Sequence, residues 1–410
     1  MRLRLGVPLW LNQTPVHRRR TYPTLRGTIQ ADVAVIGGGM TGAGIAHAFA
    51  EAGVRVALLE SNLIARGSTA ASTALLMQET DEEFTALEQR YGGPRAERLW
   101  QLGRMGVREL VATLRRLRID CDLATRDGLY FTTTRSRVEA LFLEYRRRCA
   151  AGFAATWLDE SALFAATGIV GKGAIRTPGN AQLDPYRASV GLLRAAARNG
   201  ARIFERSEVE RIDSSRHEVV IHTRGGTVVA RRVIIATGYA TPTLTPSVGR
   251  FRMKHTYVLA TRPLRAHERR ELGLGDLLLW DTQRPYHYAR WTEDRRLLLG
   301  GNDRPLLPPS RRSRAFASSR ARLREYYDVL LPALKAIEIE YAWEGLFART
   351  PDGLPYIGTH RRYPHYLFAL GYGGNGMTFG FLAARLLLDA FLNRGNQDDL
   401  ALFKFGRFRS

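Results

Sequence analysis

Cysteine is nearly absent from this 410-residue chain: Cys121 and Cys149 are the only two, and neither stands in a C-x-x-C or His-paired pattern. Their scarcity excludes a disulfide framework and a zinc site of the usual spacing, so both thiols read as buried or idle. The nine histidines are scattered without metal-ligand spacing, and no metal is expected. Long apolar runs are missing too, which excludes a membrane-spanning helix. The opening MRLRLGVPLWLNQ has a basic tip, a broken apolar stretch and no small-residue cleavage site, so it does not read as a secretion signal. The expected compartment is the cytoplasm. Lysine is rare as well: of 61 basic residues only Lys172, Lys254, Lys335 and Lys404 are lysine, and the rest are arginine.

The formal charge of +22 is what those arginines leave behind. Such a surplus can mark nucleic acid, an anionic membrane surface or acidic substrates. Here the arginines spread along the whole chain, with short clusters at 18–20, 115–118, 146–148 and 311–314. A nucleic-acid footprint would show a stripe or a known motif, so compositional bias is the better reading and nucleic acid is not an expected partner. Hydrophobic and charged contents of 45% and 24% are those of an ordinary globular protein, and the length calls for two joined domains. Oligomeric state is not legible.

Residues 32–60 read DVAVIGGGMTGAGIAHAFAEAGVRVALLE. VAVI is a short apolar run of the kind a buried parallel strand uses. The alanine-rich, proline-free stretch Met40 to Ala52 predicts a helix, with Gly53 just past its end. VRVALLE is a second buried strand ending in an acid. Strand, glycine turn, helix, strand and terminal Glu60 make up the whole dinucleotide fingerprint. Its physics assigns roles. Gly37 allows the tight turn, Gly39 lets the backbone approach a pyrophosphate, and Gly42 lets the helix pack on the strand. The helix start at Met40 and Thr41 attracts phosphate charge. Glu60, with Ser61 beside it, can accept from both ribose hydroxyls, and its charge disfavours NADP. Arg66, Gly67, Ser68, Thr69, Ser72 and Thr73 follow in ARGSTAASTALL. That stretch either caps a helix or lies against an extended cofactor, and its Arg-Gly-Ser beginning favours FAD over NAD.

Helical patterns occupy about 80–118 and 134–150, with GLYF (128–131) as a short strand between them. Asp184 and Pro185 predict the cap and first turn of a helix that stops at Gly200. A meander follows, from Val209 in VERID to Thr237 and Gly238 in GTVVARRVIIATG, whose last part extends the first parallel sheet. Between about 250 and 340 the strands alternate and are rich in aromatics, as in an antiparallel sheet. The chain then returns to buried strands, the turn GYGGNGMTFG (371–380) and a final helix. The predicted fold is α/β, α+β overall: a discontinuous Rossmann-like FAD-binding domain with an inserted, mainly antiparallel substrate domain. The expected division is 1–30 as an N-terminal extension, 31–80 with 181–245 and 341–400 as the FAD-binding domain, and 81–180 with 246–340 as the substrate domain. In PYHYARW, Tyr286, Tyr288 and Arg290 share a strand face opposite His287, and in MKHTY, Met253, His255 and Tyr257 share a face opposite Lys254. Each group reads as core or as a pocket wall, and His255 is the better general-base candidate of the histidines.

Taken together, the fingerprint, ARGSTAAST (65–73), VIIATG (233–238), WEGLFARTPDGLPYIG (343–358) and GYGGNGMTFG resemble the D-amino-acid oxidase superfamily of flavoproteins, which includes glycine, sarcosine and γ-glutamylputrescine oxidases. TPDGLPYIG and PLWLNQ are similar to the putrescine-type members. The resemblance implies FAD and oxidation of a C–N bond by hydride transfer to flavin N5, giving an imine that water hydrolyses, with oxygen or another acceptor reoxidising the flavin. It also implies that Gly373, Gly374, Asn375, Gly376 and Met377 bring a helix start to the flavin ring, where its N–H groups stabilise negative charge. Amino-acid oxidases of this group carry a carboxylate-clamping arginine where Phe347 stands here, and Arg349 follows two residues later on the same strand face. That departure favours an amine, or an N-substituted amine, over a small free amino acid. The anchors of covalent flavin are missing, since Ala70 and Ala71 occupy the loop and no cysteine follows 149, so non-covalent FAD is expected. The oxygen-activating lysine of sarcosine oxidase would fall near Leu297 to Leu299, and none is there. His255, Tyr257, Tyr288, Arg290 and Arg349 are the catalytic candidates. Two alternatives stand beside an amine oxidase: a flavoenzyme acting on a modified tRNA base, and a flavin-bound subunit without turnover.

Overall fold

Two large sheets carry the fingerprint and the candidate site in the computed structural model, which describes residues 5–14, 21–239, 241–245 and 248–407. The arginine cluster 18–20 lies outside the described residues.

The first sheet has eight strands. Its centre is Gly27–Ile36, paired in parallel with Gly226–Gly238 on one side and Val56–Leu59 on the other. Val56–Leu59 continues to Arg202–Phe204, and Gly226–Gly238 to Tyr363–Leu370, both in parallel. The antiparallel pair Tyr356–His360 and the meander strands Val209–Ser214 and Val219–Thr223 complete it. Val33 and Val35 pack into the cluster that holds Ile45, Phe49, Leu192, Leu193 and Leu382 of the helices Met40–Glu51, Pro185–Arg198 and Gly376–Phe391. Ala34 and Ile36 point the other way, towards Val228, Val233 and Phe368. A strand covered on both faces must be apolar throughout, which is why VAVI and VIIA show no alternation. The helix after the cap forms as predicted: Asp184 Oδ1 accepts from the N–H groups of Tyr186 (2.8 Å) and Arg187 (2.9 Å).

Nine strands make the second sheet, in the order Ile339–Arg349, Arg252–Thr261, Leu297–Pro305, Tyr288–Trp291, Leu277–Asp281, Ala124–Thr132, Gly173–Gln182 and Leu75–Leu76, with Thr156–Leu158 beside Gly173–Gln182. Only the pair Leu277–Asp281 and Ala124–Thr132 is parallel. The helix Pro309–Leu330 backs this sheet through Leu323 and Tyr327, which pack on Tyr257, Leu259, Leu297 and Leu299. Ile339–Arg349 pairs along its length with Arg252–Thr261, although the expected division groups residues from 341 onward with the first sheet. Its apolar pattern suits either sheet, and only the ladder decides. The region 80–118 resolves into two helices, Phe84–Tyr91 and Gly93–Arg116. Among the described residues, no helix is long and apolar enough to cross a membrane.

Candidate active site

A cavity of about 510 Å³ runs between the two sheets, and both glycine turns line it. At the first turn Gly37 holds φ +109°, a value that favours glycine, and its N–H is fixed by Leu59 O at 2.9 Å. A Cβ on Gly42 would lie 1.9 Å from Gly37 O, so only a hydrogen lets the helix start meet the strand tip. Gly37, Gly39, Met40 and Thr41 line the cavity, whereas Gly42 acts from behind, through packing. Glu60 is held by three donors: Gly38 N–H on Oε2 (2.8 Å), and Asn62 N–H (2.8 Å) and the Ser61 hydroxyl (3.2 Å) on Oε1. Thr69 Oγ1 caps the helix through Met40 N–H at 2.9 Å. Ser61, Arg66, Gly67, Ser68, Thr69, Ser72, Thr73, Val209, Thr237 and Gly238 all line the same cavity. Ser68 Oγ donates to Leu346 O (2.7 Å) and Trp343 Nε1 to Ala71 O (2.9 Å), which ties the Ser/Thr loop to the second sheet. Trp343 is therefore a buried strut under that loop.

Gly373, Gly374, Asn375, Gly376 and Met377 line the opposite end. Here Gly374 N–H donates to Asp81 Oδ2 (2.7 Å), Asn375 Nδ2 to Glu79 O (2.5 Å) and Thr378 Oγ1 to Met77 O (2.8 Å). A Cβ on Gly374 would stand 2.4 Å from the Tyr286 hydroxyl and 3.0 Å from Asp81 Oδ1. The turn is thus pinned to the segment that directly follows the Ser/Thr loop.

That segment, Glu79-Thr80-Asp81-Glu82-Glu83, gives this end of the cavity an acidic wall, which Asp303 extends. Tyr130, Trp280, Tyr286 and Tyr288 form the aromatic wall, with Tyr130 stacked on Trp280 at 5.4 Å. Burial raises the hydroxyl pKa values of Tyr286 and Tyr288, so both stay protonated. The Tyr288 hydroxyl also meets Thr256 Oγ1 at 3.1 Å. Burial pushes Asp81 up to about 6 against the opposing pull of the Gly374 N–H. The nearby arginines are committed: Arg349 pairs with Glu82, Arg148 with Glu144 (2.8 Å), and Arg284 lies among Tyr130, Glu82 and Glu83.

Three catalytic candidates fall elsewhere. His255 and Tyr257 do share a face, but it is the face covered by the helix Pro309–Leu330, while Thr256 between them lines the cavity. His255 is fully buried 3.6 Å from Glu344, which pairs with Arg312, and burial lowers its pKa. Tyr257 packs in the apolar core behind the sheet. Arg290 follows Tyr288 on its face but lies past the end of the cavity. Its guanidinium donates to Thr73 O (2.5 Å), Leu183 O (2.8 Å) and Trp291 O (3.1 Å), and burial lowers its pKa to about 9. It is a strut, not a wall. Tyr288 lines the cavity, and Arg349 stands just behind the wall through Glu82. His287 stacks on Tyr326 at 3.7 Å and pairs with Asp281 (3.0 Å). The acidic wall escaped the sequence reading, yet four acids within five residues in a chain of charge +22 were its signal.

A parallel sheet with the fingerprint turn, a second sheet facing it and one cavity between two glycine turns define a flavin-dependent oxidoreductase. The residues present fit FAD, because the cradles at Gly37 and Gly42 admit no side chain and the Glu60 carboxylate is fixed at the tip of the second strand, beside the first glycine turn. The chain belongs to the FAD dependent oxidoreductase family DAO, whose model it matches over residues 32–390. It is 28% identical over 398 residues to γ-glutamylputrescine oxidoreductase of Escherichia coli (strain K12), covering 93% of this chain and 88% of that protein. It is also 28% identical over 392 residues to glycine oxidase of Geobacillus kaustophilus (strain HTA426), covering 93% and 98%. The crystal structure of glycine oxidase from Geobacillus kaustophilus superposes with a TM-score of 0.79 at 24% identity, over 92% of this chain and 99% of that one. L-proline dehydrogenase from P. horikoshii has the same fold, with a TM-score of 0.77 at 18% identity.

Proposed function

We propose that this enzyme oxidises the C–N bond of a primary or secondary amine, with FAD held non-covalently. The observation that carries this reading is the acidic, aromatic chamber in which each nearby arginine is already paired or stacked. A substrate carboxylate would find no uncommitted clamp there, with Phe347 on the wall and Arg349 tied to Glu82. An ammonium group would find Asp81 and Asp303.

Gly37, Gly39, Met40, Thr41 and Glu60 would hold the adenosine diphosphate part of FAD. The loop from Arg66 to Thr73 and the turn from Gly373 to Met377 would hold the flavin part. When bound, FAD supplies the acceptor for the C–H hydrogen and its electron pair. The protein first has to neutralise the substrate, because an ammonium nitrogen has no lone pair to support C–H cleavage. Asp81 Oδ1 takes that proton, since Oδ2 is occupied by Gly374 N–H and the carboxyl titrates near 6. Tyr286 and Tyr288, protonated across the physiological range, box the substrate carbon chain and keep bulk water from it. The first turn of Gly376–Phe391 brings backbone N–H groups towards the same end, where negative charge accumulates during the reaction.

Purified protein should be yellow, acid precipitation should release FAD, and members of an amine panel should bleach the flavin under anaerobic conditions. A yellow protein that no amine bleaches would overturn the substrate assignment. A colourless protein that cannot be reconstituted would overturn the cofactor site.

A further inference from the structure

We propose that Asp303 binds the cationic nitrogen of the substrate and sets the preference for an ammonium over a neutral ligand, a task separate from the proton transfer at Asp81. The inference rests on the amine oxidation argued above and assigns a further residue to it. Asp303 closes a third glycine stretch, Gly300-Gly301-Asn302-Asp303.

Strict alternation along Leu297–Pro305 would hide this acid. Leu297 and Leu299 pack under the helix Pro309–Leu330, so a period of two would turn Asp303 to the helix as well, and Arg304 to the chamber. The ladder with Arg252–Thr261 breaks that period. Tyr257 pairs with Gly301 and His255 with Arg304, which leaves Asn302 and Asp303 together opposite Thr256. This is a β-bulge, built on Gly301 at φ +140° and Asn302 at φ +57°, positive values that glycine and asparagine tolerate best. Asn302 turns to the helix, where its Nδ2 donates to Ser319 O at 3.4 Å. Arg304 joins the face of the buried His255, and Asp303 lines the cavity instead. One inserted residue thus decides whether the chamber wall carries an anion or a cation at this point.

Asp303 is half-buried and open to the cavity on one side. Oδ1 is enclosed by protein, so Oδ2 is the oxygen that meets the cavity. Thr256 attends the carboxylate from the facing strand, and Lys254, Arg349 and His287 pull its pKa down from farther away. Arg349 is tied to Glu82, and among the described residues no cation forms an ion pair with Asp303. Burial outweighs these pulls and raises the pKa, so a cation arriving at Oδ2 favours the ionised form. Thr256 Oγ1 also meets the Tyr288 hydroxyl at 3.1 Å, and the Tyr288 ring crosses Gly300, where a Cβ would lie 2.0 Å from it. The stretch therefore sets an acid beside an aromatic ring, the pair of contacts that suits one alkylammonium. Asp81 and Asp303 both act on the Tyr286 hydroxyl, so the two carboxylates face one space from different elements.

The test uses the FAD-loaded enzyme. tert-Butylammonium has no C–H bond on the carbon that bears nitrogen, so it binds without being oxidised, and tert-butanol is its neutral counterpart. Binding of both is read from the perturbation of flavin absorbance, and n-butylamine and benzylamine report turnover through anaerobic bleaching. The wild-type enzyme should bind tert-butylammonium more tightly than tert-butanol by roughly 10- to 100-fold, the weight of one charge-assisted contact. Asp303→Asn should remove that advantage and leave tert-butanol unchanged, with the loss for either amine in KM rather than kcat and the acid limb of the pH profile retained. Asp303→Glu should restore part of the advantage. Asp81→Asn should do the reverse, keeping most of the ammonium preference and losing turnover. An ammonium preference that survives in Asp303→Asn, or equal loss of both tert-butyl probes, overturns the assignment while leaving amine oxidation intact. Equal binding of the two probes by the wild-type enzyme overturns it even where an Asp303 variant does not fold. Bleaching by neither amine overturns both readings.

Discussion

Gly42→Ala is the most direct test of how the nucleotide end is built. The new methyl would lie 1.9 Å from Gly37 O, whereas a relaxed carbon–oxygen approach is about 3.3 Å, so helix and strand tip must part by more than ~1 Å. Neither side can yield cheaply. Gly37 is anchored through its N–H to Leu59 O at 2.9 Å, and the helix Met40–Glu51 is wedged between Pro185–Arg198 and Gly376–Phe391. Overpacking against backbone on both sides puts the cost near the upper end of the usual range, about 3 kcal/mol. Expressed in binding, that is roughly a hundredfold loss of FAD affinity. Gly44→Ala, one half-turn on, is the control. Its tightest contact would be a side-chain atom, Phe381 Cδ2 at 3.2 Å, with Ala384 Cβ and Phe381 Cα at an ordinary 3.8 Å, and the gain of about 1 kcal/mol in helix propensity offsets the squeeze. The assay is FAD content on purification, the Kd of apoprotein for added FAD, and Tm with and without FAD. The reasoning is refuted if Gly42→Ala retains full flavin and melts with the wild type, or if the two variants behave alike.

Three further outcomes are expected. Gly374→Val would drive a side chain against the Tyr286 hydroxyl and Asp81, so flavin reduction should slow or flavin occupancy fall; unchanged flavin content together with unchanged turnover would show that the turn does not face the cofactor. Asp81 is raised by burial to about 6, so its proton-accepting carboxylate is present above that pH and is lost as pH falls through it. Thus kcat/KM should drop on the acid side with a limb near pH 6, and Asp81→Asn should remove the limb and cost about a hundredfold; a limb that persists in the variant would assign it to another group. Arg290→Met should lower stability by about 3 kcal/mol or more in denaturant titrations, because three buried carbonyls lose their donor. An unchanged denaturation midpoint with lost activity would instead restore Arg290 to the site.

Local signals were legible wherever one segment carries the whole physical reason. The first glycine turn, Glu60 and the cap at Asp184 are of that kind, since each depends on residues within a few positions or within one strand–helix–strand unit. The alternation of Tyr286, Tyr288 and Arg290, and of His255 and Tyr257, was also readable as shared faces. It did not say which of those faces is the wall of a cavity. Arg349 kept the expected strand face, yet Glu82, 267 residues away, takes up its charge.

By itself, then, the sequence determined a nucleotide fold with glycine at two points of close approach, because backbone sterics and strand periodicity are properties of short segments. Tertiary structure alone decided the chemistry of the chamber. Helix Pro309–Leu330 covers the His255 and Tyr257 face and removes both from the site. The turn at Gly374 and Asn375 pins the acidic segment against the cavity across nearly 300 residues of chain. A strand always has two faces, and which of them meets core and which meets substrate depends on the element packed against it, which no period of two can encode.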